Sequence, residues 1–527
     1  MKNKNMMFKH KRISFAILTA AMLTLTACAQ STGNTDVSAP VTGSIETSEV
    51  TAEDTAQEAD TSDYELIENS EDGGHAITAD AEDASYSKIK VVKTGEADGD
   101  EADFYGENAA IFATNGATLD LSEIYVETDG THANGVFSYG EGTTVNISDS
   151  VINTSGNCSG GIMTTGGGTM NADNLTIYTT GNSSAAIRSD RGGGIVTVNG
   201  GTYTTDGTGS PVIYSTADIT VSDAGLTSTA SQGVVVEGQN SVTLNNVTLI
   251  ADNNTKNSDK SDYYQAVMIY QSMSGDADEG LASFTMNGGS LTNKNGDVFF
   301  VNNTVATIEL NGADINNEYE DGVFLRAEAA GWGSEGSNGG NVDLKASSQT
   351  IDGDMIVDEV SALNLYLAES SVFSGAVNPD GDAGDVYVEL TGGSTWTLTG
   401  DSYITSLTCD SDSIVLNGHT LYVNGETYEE GTAVEGQAIE FVMSGNAGGP
   451  GDGMTPPDGE GGPGDGMTPP DGEGGPGDGM TPPDGEGGHG NGMTPPDGEG
   501  GPGNGMTPPD GEGGPGGDGS EPPAKPE

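Results

Sequence analysis

A short apolar motif recurs about every 25 residues through the middle of the chain. Its central residues are spaced by 25, 26, 25, 26 and 22 positions, and they are Ile111, Val136, Ile162, Ile187, Ile213 and Val235. A repeat of this length is typical of a solenoid, in which each unit buries its apolar face only against its neighbours. The repeat therefore restricts the architecture but not the function, because solenoids serve enzymes, adhesins and glycan-binding proteins alike.

Each repeat carries three strand signals. The recurring motif is the first, a pair of apolar residues two positions apart such as Leu119 and Leu121 is the second, and a single apolar residue such as Val126 marks the third. Asn, Asp and Gly between the second and third signals suit sharp corners. We predict an all-β fold, a single-stranded right-handed parallel β-helix of the pectate-lyase-like type, over residues 73–445. Leucine-rich repeats would need a dense Leu signature, and a closed barrel would need longer strands and hairpins.

The N-terminus has the pattern of an export signal. Basic residues precede an apolar stretch from Ile13 to Leu25, which is too short for a stable membrane-spanning helix. It ends in Leu25-Thr26-Ala27-Cys28, which resembles the bacterial lipobox. The resemblance implies that residues 1–27 are a lipoprotein signal peptide and that Cys28 is lipidated. Contact with the membrane would then be through the lipid anchor only.

Two further segments lack the composition of a folded core. Residues 28–72 are acidic and have no apolar periodicity, so we predict a disordered tether. Residues 446–527 contain a 13-residue unit of Gly, Pro and Asp, and they are predicted to be a disordered tail. Insertions interrupt the later repeats at 251–264, 271–279, 329–341 and 378–385, where solenoids often place their functional face.

The charge excludes some partners. The chain has 16 Lys and Arg against 81 Asp and Glu, a formal net charge of −65. Nucleic acid requires a positive surface and is excluded as a partner. Polyanionic glycans are disfavoured unless a divalent cation bridges them to the protein. We expect a monomer, and with only five His and two widely separated thiols, Cys158 and Cys409, we expect no disulfide and no zinc site.

The end of the repeat region carries a family resemblance. The stretch from Trp396 to Leu407 resembles the last repeats of bacterial surface β-helix and autotransporter-passenger-like proteins. With the lipobox, the architecture is similar to that of β-helix surface proteins of Gram-positive gut-type bacteria, including carbohydrate-binding lipoproteins. The resemblance implies an extracytoplasmic protein that is lipid-anchored to the cell membrane and exposed at the cell surface.

Polysaccharide-active enzymes share this type of fold, and parts of this sequence resemble their motifs. Gln265 and Asp297 lie in segments that resemble those of pectin methylesterases, which implies an oxyanion donor and a nucleophile at these positions. That family's Leu-Gly-Arg-Pro-Trp stretch is missing, and the polygalacturonase-like Gly488-His489-Gly490 lies in the predicted tail. We therefore predict no catalytic residues and no cofactor, except for a candidate calcium site at Asp380, Asp382 and Asp385.

Exposed aromatic residues are the remaining candidates for function. Trp332 lies in a glycine-rich insertion that offers little to pack on, and Tyr263 and Tyr264 flank an earlier insertion. Flat aromatic rings suit stacking on a sugar or contact with a protein partner. The favoured function is a non-catalytic adhesin or glycan-binding scaffold whose partner is an extracellular glycan or a host or matrix protein. The alternatives are a pectin lyase or esterase acting on uronic-acid polymers, and a passive surface spacer.

Overall fold

The regular structure of the described residues is almost entirely parallel β-sheet. A computed structural model describes residues 60–256, 258–381 and 384–441. Within these residues it contains 41 strands and one helix, α1 (Asp100–Phe104). The predicted signal peptide, Cys28, most of the tether and the C-terminal repeats lie outside the described residues.

The strands form three long sheets and two short ones. In order of pairing, sheet A contains β1 (Glu65–Asn69), β4 (Ile89–Lys93), β7 (Tyr125–Thr128), β10 (Val151–Thr154), β13 (Thr176–Thr179), β16 (Thr202–Thr205), β19 (Gly225–Ser228), β22 (Thr248–Ala251), β25 (Ser290–Asn293) and β28 (Asp314–Asn317). Sheet B contains β2 (Ile77–Asp80), β5 (Ile111–Thr114), β8 (Val136–Tyr139), β11 (Ile162–Thr165), β14 (Ile187–Ser189), β17 (Ile213–Ser215), β20 (Val234–Glu237), β23 (Gln265–Tyr270), β26 (Asp297–Asn302), β29 (Leu325–Ala327) and β32 (Met355–Val357). Sheet C contains β3 (Ala84–Ser87), β6 (Thr118–Ser122), β9 (Thr144–Ser148), β12 (Gly168–Asp173), β15 (Gly194–Asn199), β18 (Asp218–Ser222), β21 (Ser241–Asn245), β24 (Leu281–Asn287), β27 (Thr304–Asn311), β30 (Gly340–Ser347), β33 (Ala362–Ala368), β35 (Asp385–Leu390) and β38 (Ser406–Thr408). The short sheets are D, with β31 (Thr350–Asp352), β34 (Val372–Ser374), β36 (Thr395–Thr397) and β39 (Ile414–Val415), and E, with β37 (Ser402–Ile404), β40 (Leu421–Val423) and β41 (Glu426–Thr427).

The chain passes through the long sheets in a fixed cycle. Strands β2, β3 and β4 belong to sheets B, C and A, and the same order recurs up to β28. Each strand pairs in parallel with its equivalent in the next cycle, so backbone groups are satisfied between repeats. The all-β class with stacked parallel sheets is confirmed, and this topology is consistent with a parallel β-helix.

The predicted apolar columns are present in sheet B. Ile111, Val136, Ile162, Ile187 and Ile213 are paired in series, and each is at most 1% exposed. The predicted partner of Ile213 in the next repeat was wrong. Ile213 pairs with Val234, not with Val235, which gives a spacing of 21 residues. Both positions are Val, so the apolar pattern alone could not decide which of them points inward.

The other two sheets have the columns expected from the sequence. In sheet C, Leu119 pairs with Val145, and in sheet A, Val126 pairs with Ile152, all four being fully buried. The corner between these sheets uses left-handed backbone, for example at Asn174, where φ is 53°. Asn and Asp tolerate this conformation, which explains their recurrence there.

The β-structure begins earlier than predicted. Strand β1 lies at 65–69, inside the segment assigned to the disordered tether, and it pairs in parallel with β4. The apolar residues Leu66 and Ile67 are adjacent in the sequence and therefore give no alternating pattern. In the structure Leu66 is 53% exposed and contributes little to the core. At the other end Trp396 is fully buried in β36, as expected for the closing repeats.

Three of the predicted insertions fall mainly between strands, and the two cysteines within the described residues are not bonded to each other. Segments 252–264 and 271–280 flank β23, and 328–339 follows β29. Cys409 is buried and Cys158 is half-buried. None of the helical residues in the described part of the chain forms a segment long and apolar enough to cross a membrane.

Candidate ligand-binding site

The outer face of sheet B carries a second apolar column. Successive strand residues point to opposite faces, so the residues that follow the inward column point away from the core. Tyr214, Val235, Met268 and Phe300 are paired in this order on the outer face. Val235, Met268 and Phe300 are at most 5% exposed, because other segments cover them. This face is therefore a second site of burial, outside the core.

A pocket of about 220 Å³ is lined by outer-face residues of sheet B and by described residues of the insertion 252–264. Tyr263, Tyr264 and Trp332, the three aromatic residues predicted to bind ligand, all line it. The structure thus brings together residues that are up to 69 positions apart in the sequence. The sequence did not single out the other lining side chains, which include Tyr214, Gln232, Val235, Asn253, Lys256, Lys260, Gln265 and Met268.

Trp332 is more tightly held than its glycine-rich surroundings predicted. Its ring is half-buried and packs edge-on against Tyr270 with 5.2 Å between centroids. The backbone of Gly331 donates a hydrogen bond to the Lys260 carbonyl at 2.7 Å, and a Cβ at this glycine would lie 2.8 Å from the Lys260 side chain. The Asn338 amide donates to the Trp332 carbonyl at 2.9 Å. The insertion is a structured wall of the pocket, which corrects the expectation that it has little to pack on.

Three cations lie over aromatic rings at the pocket. Lys256 Nζ is 5.3 Å from the Tyr264 ring, and Lys260 Nζ is 5.5 Å from the Trp332 ring. The guanidinium of Arg326 is 3.6 Å from the Tyr263 ring. Lys256 and Lys260 thus place two amino groups beside the aromatic rings, whereas the charge of Arg326 is compensated by neighbouring carboxylates. The combination offers both stacking surfaces and hydrogen-bond donors.

A buried ion pair fixes Arg326 and with it the Tyr263 ring. Arg326 Nε lies 2.6 Å from Asp297 Oδ2, and Arg326 Nη1 lies 3.2 Å from Glu328 Oε2. Burial raises the pKa of Glu328 above its ordinary value, although Arg326 opposes this shift. The other oxygen of Asp297 accepts a hydrogen bond from the Val323 amide at 2.9 Å.

This ion pair bears on the pectin methylesterase resemblance. Both carboxylate oxygens of Asp297 are engaged, and its side chain is only 3% exposed. Gln265 is also buried, with its amide nitrogen 3.3 Å from the sulfur of Met268. A nucleophile must reach the substrate, and in this structure Asp297 is engaged with Arg326 and with the Val323 amide.

A buried carboxylate forms hydrogen bonds to two tyrosines that line the pocket. Glu237 is fully buried and accepts hydrogen bonds from the hydroxyls of Tyr214, Tyr270 and Ser272. Burial raises the pKa of both tyrosines above the ordinary value, so both remain protonated donors at neutral pH. These bonds tie β17, β20 and β23 together on the outer face and hold Tyr270 against Trp332.

A second buried acid lies two repeats earlier on the same sheet. Asp190 pairs with Arg188 at 3.0 Å and is 3% exposed. Burial raises the pKa of this carboxyl to about 6, although the neighbouring guanidinium opposes the shift. Next to it, Arg191 pairs with Asp276 at 2.8 Å, which connects the insertion 271–280 to sheet B.

The predicted calcium ligands do not all fall within the described residues. Asp382 lies outside them, whereas Asp380 and Asp385 are exposed. Asp385 accepts a hydrogen bond from the Thr405 hydroxyl at 3.2 Å. The calcium site stays a prediction.

One group that sequence reasoning missed has the composition of a metal site. In the part of the chain that the structure describes, Asp103, His132 and Cys158 form the one group of three His, Cys, Asp or Glu side chains whose ligand atoms lie within 4.8 Å of one another. Burial lowers the pKa of His132 and raises the pKa of the Cys158 thiol. The signal was present in the repeat register, because His132 and Cys158 each lie four residues before paired inward residues, Val136 and Ile162.

The fold and the pocket define an all-β protein with stacked parallel sheets and an aromatic-lined outer face. Comparison of the chain with protein-family models, with curated proteins and with solved structures found no significant match in any of the three.

Proposed function

We propose that this chain is a non-catalytic binding scaffold displayed at the cell surface, and that it binds an extracellular glycan in the pocket over sheet B. The observation that carries the proposal is the convergence of Tyr263, Tyr264 and Trp332 on one pocket. Sugar rings present flat C–H surfaces that stack on aromatic faces, and their hydroxyls bond to nearby donors and acceptors.

The polar groups of the pocket suit the hydroxyls of a sugar. Lys260 is exposed beside Trp332, and Gln232 and Asn253 contribute amide groups to the lining. Lys256 Nζ donates to the carbonyls of Ser261 and Asp262, both at 2.9 Å, which orders the insertion that covers the pocket. A pre-formed site binds with a smaller loss of conformational entropy.

The engagement of Asp297 supports a non-catalytic role. The residue that resembles an esterase nucleophile is buried and holds two hydrogen bonds, so it does not present a free carboxylate to the pocket. The proposal includes the handedness and closure of the fold: we propose that the stacked sheets form a right-handed parallel β-helix, because parallel crossover connections are nearly always right-handed. The rod would carry the pocket away from a membrane to which Cys28 is anchored by lipid.

Replacing Trp332 by alanine is expected to weaken glycan binding about 10-fold or more, because it removes the largest aromatic wall of the pocket. The measurement is a glycan array with the full chain, followed by titration calorimetry on the best ligand. The sugar products are analysed in parallel, and no hydrolysis or β-elimination is expected.

Tyr319→Ala is the matched control, since Tyr319 is 41% exposed and does not line the pocket. Equal loss of binding in both variants would contradict the assignment of the pocket. Release of methanol or unsaturated uronides from pectin would favour an enzyme, and binding to no glycan or host protein would leave a passive spacer.

A further inference from the structure

The corner that leads into sheet B places two metal-ligating side chains in neighbouring repeats. His132 and Cys158 both have left-handed backbone, with φ of 57° and 56°, and the His132 amide donates to the Asn157 carbonyl at 2.9 Å. Each lies four residues before an inward residue, Val136 or Ile162, and these two residues are paired. The side chains are therefore one strand spacing apart, about 4.8 Å along the stack.

The helix α1 supplies a third donor. Asp103 Oδ1 lies 3.2 Å from His132 Nε2. The helix is fixed over sheet B, because the Thr165 hydroxyl donates to the Phe104 carbonyl at 2.6 Å and the Arg191 guanidinium lies 3.6 Å from the Phe104 ring. One carboxylate oxygen, one ring nitrogen and one sulfur thus lie within 4.8 Å of one another.

His132 has unused binding capacity. It is 3% exposed, and its Nδ1 atom is buried without a hydrogen-bond partner among the described residues. The Nε2 atom already faces Asp103. A buried ring nitrogen without a protein partner, as Nδ1 is, remains able to bind a ligand or a proton partner. A neutral imidazole binds metals through one of its ring nitrogens.

The charges around the group favour a cation. The acidic residues that act on His132 are Asp98, Asp103 and Glu107, and the basic one is Arg188. Arg188 also forms an ion pair with Asp190, which compensates its charge. Carboxylates therefore outnumber the guanidinium near the three donors.

From this geometry we propose that Asp103, His132 and Cys158 bind a divalent transition-metal ion, with Zn²⁺ as the best match. Zn²⁺ accepts these three donor types in tetrahedral sites, whereas Ca²⁺ and Mg²⁺ prefer oxygen ligands. Three ligands from the chain leave the fourth position to water or to a ligand from outside. Binding would also fix α1 to the corner of two successive repeats.

The test uses the full chain, purified without a histidine tag and carrying Cys28→Ser so that the N-terminal thiol cannot bind. Titration with Co²⁺, a spectroscopic substitute for Zn²⁺, is expected to give a thiolate-to-cobalt charge-transfer band that saturates at one ion per chain and is bleached by Zn²⁺. The band should disappear in Cys158→Ser and persist in Cys409→Ser, the control for the other described thiol.

Zn²⁺ affinity, measured by competition with a chelating dye, should fall at least about 10-fold in His132→Asn and in Asp103→Asn. Asn tolerates the left-handed backbone at position 132, and Asp103 is only half-buried, so at least the second variant should keep the fold. Absence of the thiolate band in the parent chain would overturn the proposal. So would an unchanged band in Cys158→Ser.

Discussion

Replacing Arg326 by methionine is expected to lower the free energy of unfolding by about 3–5 kcal/mol, because it leaves the carboxylate of Asp297 buried without its charged partner. The Asp297 side chain is 3% exposed and that of Arg326 is 11% exposed, so water cannot replace the lost interaction. Chemical denaturation without ligand measures the effect. Hydrogen exchange should show it first in β26 and β29.

Two further variants test whether the loss of stability comes from the buried charge of Asp297. Lys345→Met breaks the exposed ion pair with Glu309, whose side chains are 48% and 40% exposed, and should cost less than about 1 kcal/mol. Adding Asp297→Asn to Arg326→Met removes the uncompensated charge and should restore part of the stability. If Arg326→Met and Lys345→Met were equally mild, the pair would not be buried as described.

The second large effect is expected at Trp396. Its ring is fully buried, stacks on Phe373 with 5.4 Å between centroids, and donates from Nε1 to the Gly375 carbonyl at 2.9 Å. Trp396→Ala should therefore cost about 3–5 kcal/mol through the cavity that it leaves. Because repeats are stabilised by their nearest neighbours, the loss should appear mainly in sheet D.

The chain's other tryptophan is the matched comparison. Trp332 is half-buried on the outer face and contributes mainly its contact with Tyr270, so Trp332→Ala should cost only about 1 kcal/mol. Hydrogen exchange of β34, β36 and β39 should rise in Trp396→Ala and not in Trp332→Ala. A reversed order of stabilities would contradict the placement of the two residues.

The apolar columns could be predicted from the sequence because a β-branched residue recurs at a nearly constant spacing, as at Ile111 and Val136. Alternation alone does not mark this column, since Phe137 on the outer face is also fully buried. The register was ambiguous where both neighbouring residues are β-branched, as at Val234 and Val235, and the strand signal was weak where a strand contributes little apolar area, as in β1.

The candidate sites were predictable only in part. Tyr263, Tyr264 and Trp332 stood out by residue type, but their convergence depends on how two insertions fold back over sheet B, which no local pattern encodes. The proximity of His132 and Cys158 follows from the repeat register. The position of Asp103 beside them does not follow from the register, because α1 lies outside the repeat.

Cross-linking of neighbouring repeats tests the stacked register most directly, since the pocket and the metal group both depend on it. Asn146 in β9 pairs with Asp120 in β6 on one side and with Asn171 in β12 on the other. Paired residues in adjacent strands are about 4.8 Å apart, which is within the Cα range of a disulfide. Residues two strands apart, at about 9.6 Å, are beyond it.

Under mild oxidation the variant Asn146→Cys with Asn171→Cys should form an intramolecular disulfide between these two positions, mapped by mass spectrometry of the digested chain. The variant Asp120→Cys with Asn171→Cys should not. A bridge is expected in the first variant only; no bridge in the first, or equal bridging in both, would contradict the stacking of residues about 25 positions apart.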